Sequence, residues 1–174
     1  MQEGELSFDF SSARASEKLD LPGKPLPHGV KLVDMVVEEE HGLLLIEVKD
    51  PSASPKGTDP NAAAAVQKER VAYLKKLHND ALINEELTPK ARNSYVYLHL
   101  MGRDAKPMRF VFVLGAAEMK LDPALLLGFK DRLLKRLRKE TELPWVKEYV
   151  ADCLVLTEAT WPVAFLGYAL TRVT

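Results

Sequence analysis

A single cysteine, Cys153, among 174 residues rules out an internal disulfide, so the fold must be held by its core. The setting Cys153-Leu154-Val155-Leu156 marks that thiol as core filler and not as a nucleophile. The four histidines (His28, His41, His78 and His99) show no metal-ligand spacing, which removes zinc sites of the usual kinds. No apolar run reaches the roughly 18–20 residues that span a bilayer. The opening residues Met1, Gln2, Glu3, Gly4 and Glu5 lack the basic flank and apolar stretch of a secretory leader. A cytoplasmic location with no membrane association is therefore the expectation. Neither a glycine-rich phosphate loop nor a nucleophile elbow occurs, which argues against phosphate-loop ATPase and serine-hydrolase chemistry. Excess charge is missing too: 24 Lys and Arg stand against 25 Asp and Glu, a net charge of −1. That balance counts against tight nonspecific binding of nucleic acid, while leaving room for a local basic face.

The length suits one domain spanning residues 1–174, with a real core. Leu6, Phe8 and Phe10 alternate with polar residues and predict a short strand. Ser11 or Ser12 is placed to cap a short helix through Glu17, and the prolines between Leu21 and His28 mark a connection. Val30 to Glu38 is rich in β-branched residues and Leu43 to Lys49 is nearly all apolar, so the two predict a β-hairpin turning at 39–42. Asp59-Pro60 signals a helix start, followed by a face of Val66, Tyr73, Leu74, Leu77 and Ala81. Thr88-Pro89 repeats that signal, with Gly102 as the stop, although Ser94 to Met101 also alternates like a strand. Met108 to Leu114 reads as a buried strand. Asp122-Pro123 opens a helix with Leu126, Phe129, Leu133 and Leu137 inward, and Cys153 to Leu156 and Ala164 to Val173 read as closing strands. The class is α/β, a central mixed β-sheet flanked by helices.

Three charged residues stand where strand patterns call for apolar ones. Alternation puts Glu47 and Lys49 on the face of Leu43 and Leu45, and Asp34 on the face of Leu32 and Val36. A four-residue turn sets Asp34 opposite Glu47; a two-residue turn at His41-Gly42 sets it opposite Lys49. In both registers the three groups share a face. Two carboxylates crowded in a poorly solvated place repel one another, and a divalent cation relieves that conflict. Mg²⁺, or Mn²⁺, suits one or two carboxylates plus water and phosphate oxygens, and the Val48 carbonyl is a further oxygen in reach. Lys49 would then orient a water or hold a phosphate oxygen. The competing reading is an ion triad in which Lys49 neutralises Glu47 and Asp34 without metal.

Asp34, the strand turn and Leu44-Leu45-Ile46-Glu47-Val48-Lys49-Asp50 together resemble the PD-(D/E)XK nuclease superfamily. The upstream segments Phe8-Asp9-Phe10-Ser11, Glu17-Lys18-Leu19-Asp20 and Val33-Asp34 look like small bacterial members of it. The resemblance covers about the first half of the chain. It implies a restriction-endonuclease-like fold, Asp34 and Glu47 as metal ligands, and Lys49 as the catalytic lysine. Hydrolysis of phosphodiester bonds, in DNA, by a metal-activated water follows from it, as does Glu17 or Asp20 as an additional acid. The RecB-like subgroup carries Gln and Tyr four residues apart after the lysine strand, whereas Gln67 and Tyr73 are six apart here. Gln67, Lys68 and Arg70 are positioned to reach nucleic-acid phosphates, or else form a solvated helix face. The run Lys130 to Lys139 carries the same two readings. Trp145 and Trp161 are candidates for base stacking or for packing. The alternative function is a non-catalytic interaction module of a defence or toxin-related complex that keeps the nuclease fold. DNA, a second copy of the chain or a protein of a defence system are the partners to be expected.

Overall fold

The computed structural model describes residues 1–23, 25–54, 62–117, 119–139 and 145–173. Its organising element is the hairpin of β4 (Met35–Glu38) and β5 (Leu43–Lys49). The strands pair antiparallel from Glu38 with Leu43 to Met35 with Ile46, so residues 39–42 form the longer of the two turns considered from sequence. Strand β3 (Ala15–Lys18) pairs antiparallel with β4. On the other side, β6 (Met108–Leu114) runs parallel to β5, and β7 (Asp152–Thr157) runs parallel to β6. The result is a mixed five-stranded sheet in the order β3-β4-β5-β6-β7.

A parallel step from β5 to β6 requires a crossover. It is supplied by α1 (Ala62–His78), a π-helical turn at Ile83–Leu87 and α2 (Thr88–Leu100). The second crossover, from β6 to β7, is α3 (Pro123–Arg138), whose start is capped by the Asp122 side chain accepting from the Ala124 amide at 2.8 Å. Central strand β5 is buried on both faces, as its continuous apolar run requires. Leu43 and Leu45, with Val36, Phe110 and Phe112, pack against Leu77, Leu87, Ala91, Leu98, Phe129 and Leu133 of the helical layer. Leu44, Ile46 and Val48 pack the opposite way, against Leu6, Phe8, Phe10 and Trp161.

That second layer corrects the expectation of helices flanking the sheet. The helices α1 to α3 take one face. The other is covered by a small antiparallel sheet of β1 (Gln2–Glu3), β2 (Leu6–Asp9) and β8 (Ala169–Arg172), with the short α4 (Trp161–Ala164). Ala164 to Val173 is accordingly a helix end followed by a strand. Trp161 is fully buried there, its indole donating to the Tyr168 carbonyl at 2.8 Å, so it packs and does not stack on bases.

Local signals failed, in whole or in part, in three further places. Residues 12–17 do not form a helix, because Ala15–Lys18 completes the sheet edge beside β4. Thr88-Pro89 does mark the start of α2, as expected, but Thr88 is not its cap: the chain is already helical at Leu82 and Leu87 and the Thr88 amide donates to the Ile83 carbonyl, a π-type bond. Residues 30–34 do not extend β4. The Val33 amide is taken by the Ser94 hydroxyl of α2 at 2.9 Å, and Asn93 donates to the Lys31 carbonyl at 3.2 Å. Gly102, at φ +69°, does stop α2. The Asp59-Pro60 signal lies outside the described residues. Among the described residues, no helix is long and apolar enough to cross a membrane.

Candidate active site

Asp34 sits in the bend just before β4, and continuing the hairpin register by one residue sets it across from Glu47. Its backbone carbonyl accepts from the Leu19 amide at 2.9 Å, which holds the bend against the chain leaving β3. Its Oδ2 accepts from the Val48 amide at 2.6 Å, leaving Oδ1 aimed at the neighbouring charges. Glu47, at 0% exposure, is the most deeply placed carboxylate of the group, and Asp34 is 6% exposed. Lys49 lies two residues along on the same face, its Nζ 3.0 Å from Glu47 Oε1 and 3.5 Å from Glu86 Oε2. The structure thus brings Asp34, Glu47 and Lys49 together.

It also adds residues that the sequence reading passed over. Lys90, in the first turn of α2, places its Nζ 2.8 and 2.9 Å from the two oxygens of Glu47. The same ammonium is 3.5 Å from Asp34 Oδ1 and 3.7 Å from Asp20 Oδ2. Glu86, on the π-helical turn, bridges Lys49 to Lys76 of α1, the latter at 3.2 Å. The Tyr73 hydroxyl, from α1, is buried without a hydrogen-bond partner among the described residues; burial, together with the Glu86 and Glu47 charges, drives its ionisation well above the usual phenol range. An open cleft of about 580 Å³ fronts this cluster, lined by Asp20, Lys31, Lys49, Glu85, Glu86 and Lys90.

Burial dominates the electrostatics. It lifts Glu47 to about 7, helped by the Asp34 charge and opposed by Lys90 and Lys49. Asp34 is raised for the same reason, against Lys90 and the Val48 amide. For Lys49 and Lys90 burial acts downward and is the largest single influence, but the carboxylates around them (Glu47 and Glu86 for Lys49; Glu47, Asp34 and Asp20 for Lys90) together outweigh it, and both stand above the ordinary lysine value. Glu86 ends below its ordinary value, because Lys76 and Lys49 outweigh its partial burial. The two lysines are ammonium ions across the physiological range, and the acids divide: Glu86 ionised, Glu47 poised between states.

The remaining sequence candidates separate clearly. Asp20 joins the cluster through Lys90. Glu17 does not; it pairs with Arg103 beyond the end of α2. Arg70 turns back to the loop after β5, donating to the Pro51 carbonyl at 3.2 Å and the Ser52 carbonyl at 3.4 Å, so it braces the strand end. Gln67 and Lys68 are exposed on α1 and are not among the residues lining the cleft. In the basic run, Arg132 bonds Asp80 at 3.0 Å and the Leu77 carbonyl at 2.8 Å, and Arg138 donates to the Ala151 carbonyl at 2.6 Å. Those two arginines tie α3 to its neighbours and do not form a free phosphate track.

A metal would find two of its expected ligands focused. Asp34 Oδ1 and both Glu47 oxygens lie within 3.5 Å of one point, so two carboxylates face it, at distances longer than the roughly 2.0–2.1 Å of Mg²⁺–oxygen contacts. That point is the Lys90 nitrogen. Among the described residues, no group of three or more His, Cys, Asp and Glu is arranged to hold a metal ion as the side chains stand. No family model, curated protein or solved structure matches the chain.

Proposed function

We propose that this chain is a metal-dependent nuclease of restriction-endonuclease-like fold that hydrolyses phosphodiester bonds, in DNA, with Mg²⁺ or Mn²⁺. The observation that carries the reading is the convergence of the hairpin acids Asp34 and Glu47 beside Lys49, at the wall of an open cleft that also presents Lys31. The mixed sheet with an Asp-bearing hairpin and an acid-x-lysine central strand supports the fold assignment.

In this reading Asp34 and Glu47 hold the ion, with the Val48 carbonyl as a further candidate oxygen. The Val48 amide fixes Asp34 by its Oδ2, so that Oδ1, now facing Lys90 at 3.5 Å, is the atom turned toward an ion. A bound divalent ion supplies charge for the phosphate oxygens and lowers the pKa of an attacking water. Lys49 stays charged through its contacts with Glu47 and Glu86, and is placed to orient a water or hold a phosphate oxygen. Lys31 lines the same cleft and can receive a neighbouring phosphate. Glu47, raised to about 7, loses its proton readily when a cation replaces the repulsion from Asp34.

The test is cleavage of supercoiled plasmid and single-stranded oligonucleotide with Mg²⁺ or Mn²⁺, and with chelator. Asp34→Asn and Lys49→Ala should each reduce the rate about 100-fold or more, on the scale of a lost electrostatic or acid–base group, with melting temperatures retained. Cleavage surviving both substitutions overturns the assignment.

One observation favours a second reading, a non-catalytic interaction module on the same scaffold. Lys90 already neutralises the acids at their point of convergence. Absence of cleavage, together with a melting temperature unmoved by millimolar Mg²⁺ or Mn²⁺, selects that module.

A further inference from the structure

The position of Lys90 has a consequence for how this site is loaded. Its ammonium occupies the place where three carboxylates meet: Glu47 with both oxygens at 2.8 and 2.9 Å, Asp34 at 3.5 Å and Asp20 at 3.7 Å. Lys49 is arranged differently. It touches one Glu47 oxygen from the cleft side, at 3.0 Å, and shares itself with Glu86. A divalent ion bound to Asp34 and Glu47 at ordinary oxygen distances of roughly 2.0–2.2 Å would lie against the Lys90 nitrogen. Two cations cannot share that position, whereas Lys49 can keep its place at the rim.

We infer that Lys90 is the resident cation of this acid cluster, and that a divalent ion binds Asp34 and Glu47 only by displacing the Lys90 side chain outward. The inference rests on the reading of Asp34 and Glu47 as the ion's ligands, and it deepens it by making occupancy competitive. The geometry provides a destination. Lys90 lines the cleft of about 580 Å³ together with Asp20, Lys31, Lys49, Glu85 and Glu86. Swung into it, the ammonium stays near Asp20 and comes beside Lys31 and Lys49, where an anionic phosphate would be received. One lysine therefore holds the site closed to the ion in the resting protein and adds to phosphate binding once released.

The experiment measures Mn²⁺ affinity of the full chain by calorimetry, confirmed by the electron paramagnetic resonance of free Mn²⁺. It compares the unaltered protein with Lys90→Met and Lys49→Met. Each variant removes one positive charge beside Glu47, so a general field effect strengthens Mn²⁺ binding similarly in both. Displacement predicts at least a tenfold gain for Lys90→Met and a gain several-fold smaller for Lys49→Met. Equal gains, or none for Lys90→Met, overturn the competition and leave the nuclease reading to its own cleavage assay. Failure of all three proteins to bind millimolar Mn²⁺ overturns both.

Should Lys90→Met fail to fold, the unaltered protein carries the test through amine acylation followed by mass spectrometry. Lys90, 8% exposed and held by Glu47, should react slowly without metal and at least fivefold faster at saturating Mg²⁺, with Lys49 changed less. Lys90 labelling that does not respond to Mg²⁺ overturns the inference.

Discussion

Glu47 makes the energetics of this site measurable without any substrate. A carboxyl raised from 4.5 to about 7 by burial and by Asp34 is easier to fold protonated than ionised. Its favourable state is fully present below 4.5, the unfolded value, and is lost as pH rises through about 7. Over that whole range the folded state holds more protons than the unfolded one, so stability falls with pH. The gap corresponds to about 3 kcal/mol in full, most of which falls between about pH 5 and about pH 8. Asp34 is shifted the same way and adds to the slope. The other shifted groups act outside this window. Glu5, Asp9, Glu38, Glu86 and Asp104 are all lowered, and their contribution is lost only as pH falls below the ordinary carboxylate range. Lys49 and Lys90 are raised above 10.5, and Cys153 is pushed up to about 12, so they act only in alkali.

The assay is urea unfolding at a series of pH values with chelator present. The unaltered protein should lose at least about 2 kcal/mol from about pH 5 to about pH 8, or roughly 5–10 °C in melting temperature. Glu47→Gln should flatten most of that slope, leaving the part due to Asp34. Stability that holds level or rises across the window would refute the reasoning, since Glu47 would then be ionised at pH 5 and stabilised by Lys90 and Lys49 as an ordinary ion pair.

Two predictions concern the frame around the site. A Cβ at Gly115 would lie 2.1 Å from Asp50 Oδ1 and 2.7 Å from its Cγ, so Gly115→Ala must push aside a carboxylate bonded to Arg172 at 2.9 and 3.0 Å; the expected loss in denaturant unfolding is about 2 kcal/mol, below that for breaking a fully buried pair because Arg172 is partly exposed, and a loss under about 0.5 kcal/mol would show that Asp50 moves freely. Asp122→Ala removes the acceptor for the Ala124 amide at the start of α3, and should lower stability by about 1 kcal/mol, read as a melting shift of roughly 2–4 °C, with Asp122→Asn near neutral.

The hairpin was readable from sequence because its information is local. A β-branched run, a polar turn and a nearly all-apolar run name two adjacent strands, and period-two alternation then puts Asp34, Glu47 and Lys49 on one side whichever turn is used. The layer covering the opposite face was not readable, since β1, β2 and β8 come from the two ends of the chain and no local pattern reports that they meet. Lys90 escaped for a related reason: 43 residues separate it from Glu47. A signal was nonetheless present. Leu87, Ala91, Ser94 and Leu98 form the buried stripe of that helical stretch, and Lys90 stands three residues after Leu87 and four before Ser94, on the inward side. A lysine on a buried stripe demands a carboxylate partner, and the hairpin acids Asp34 and Glu47 were the carboxylates set among apolar strand residues. Glu86 was harder to find, because the π-helical turn adds a residue to the repeat and breaks the 3.6 spacing on which face assignments rest.

The charges at the site also constrain the order of its loading. Contacts run continuously from Lys76 through Glu86, Lys49, Glu47 and Lys90 to Asp34 and Asp20. Those residues comprise four acids and three lysines, and with Glu47 poised near 7 the cluster lies between neutral and one negative charge at physiological pH. A divalent ion entering alone, with the lysines in place, would leave the cluster positive and poorly solvated. If Lys90 swings out, the acids are left to the ion, but the cleft then holds an ammonium group facing Lys31 and Lys49. A phosphate in the cleft relieves that crowding by giving the lysines an anion to share. If the proposed displacement holds, ion and phosphate would favour one another's binding through Lys90, so the Mn²⁺ affinity of the unaltered protein should rise when inorganic phosphate is present, and an affinity that phosphate leaves unchanged would refute the coupling.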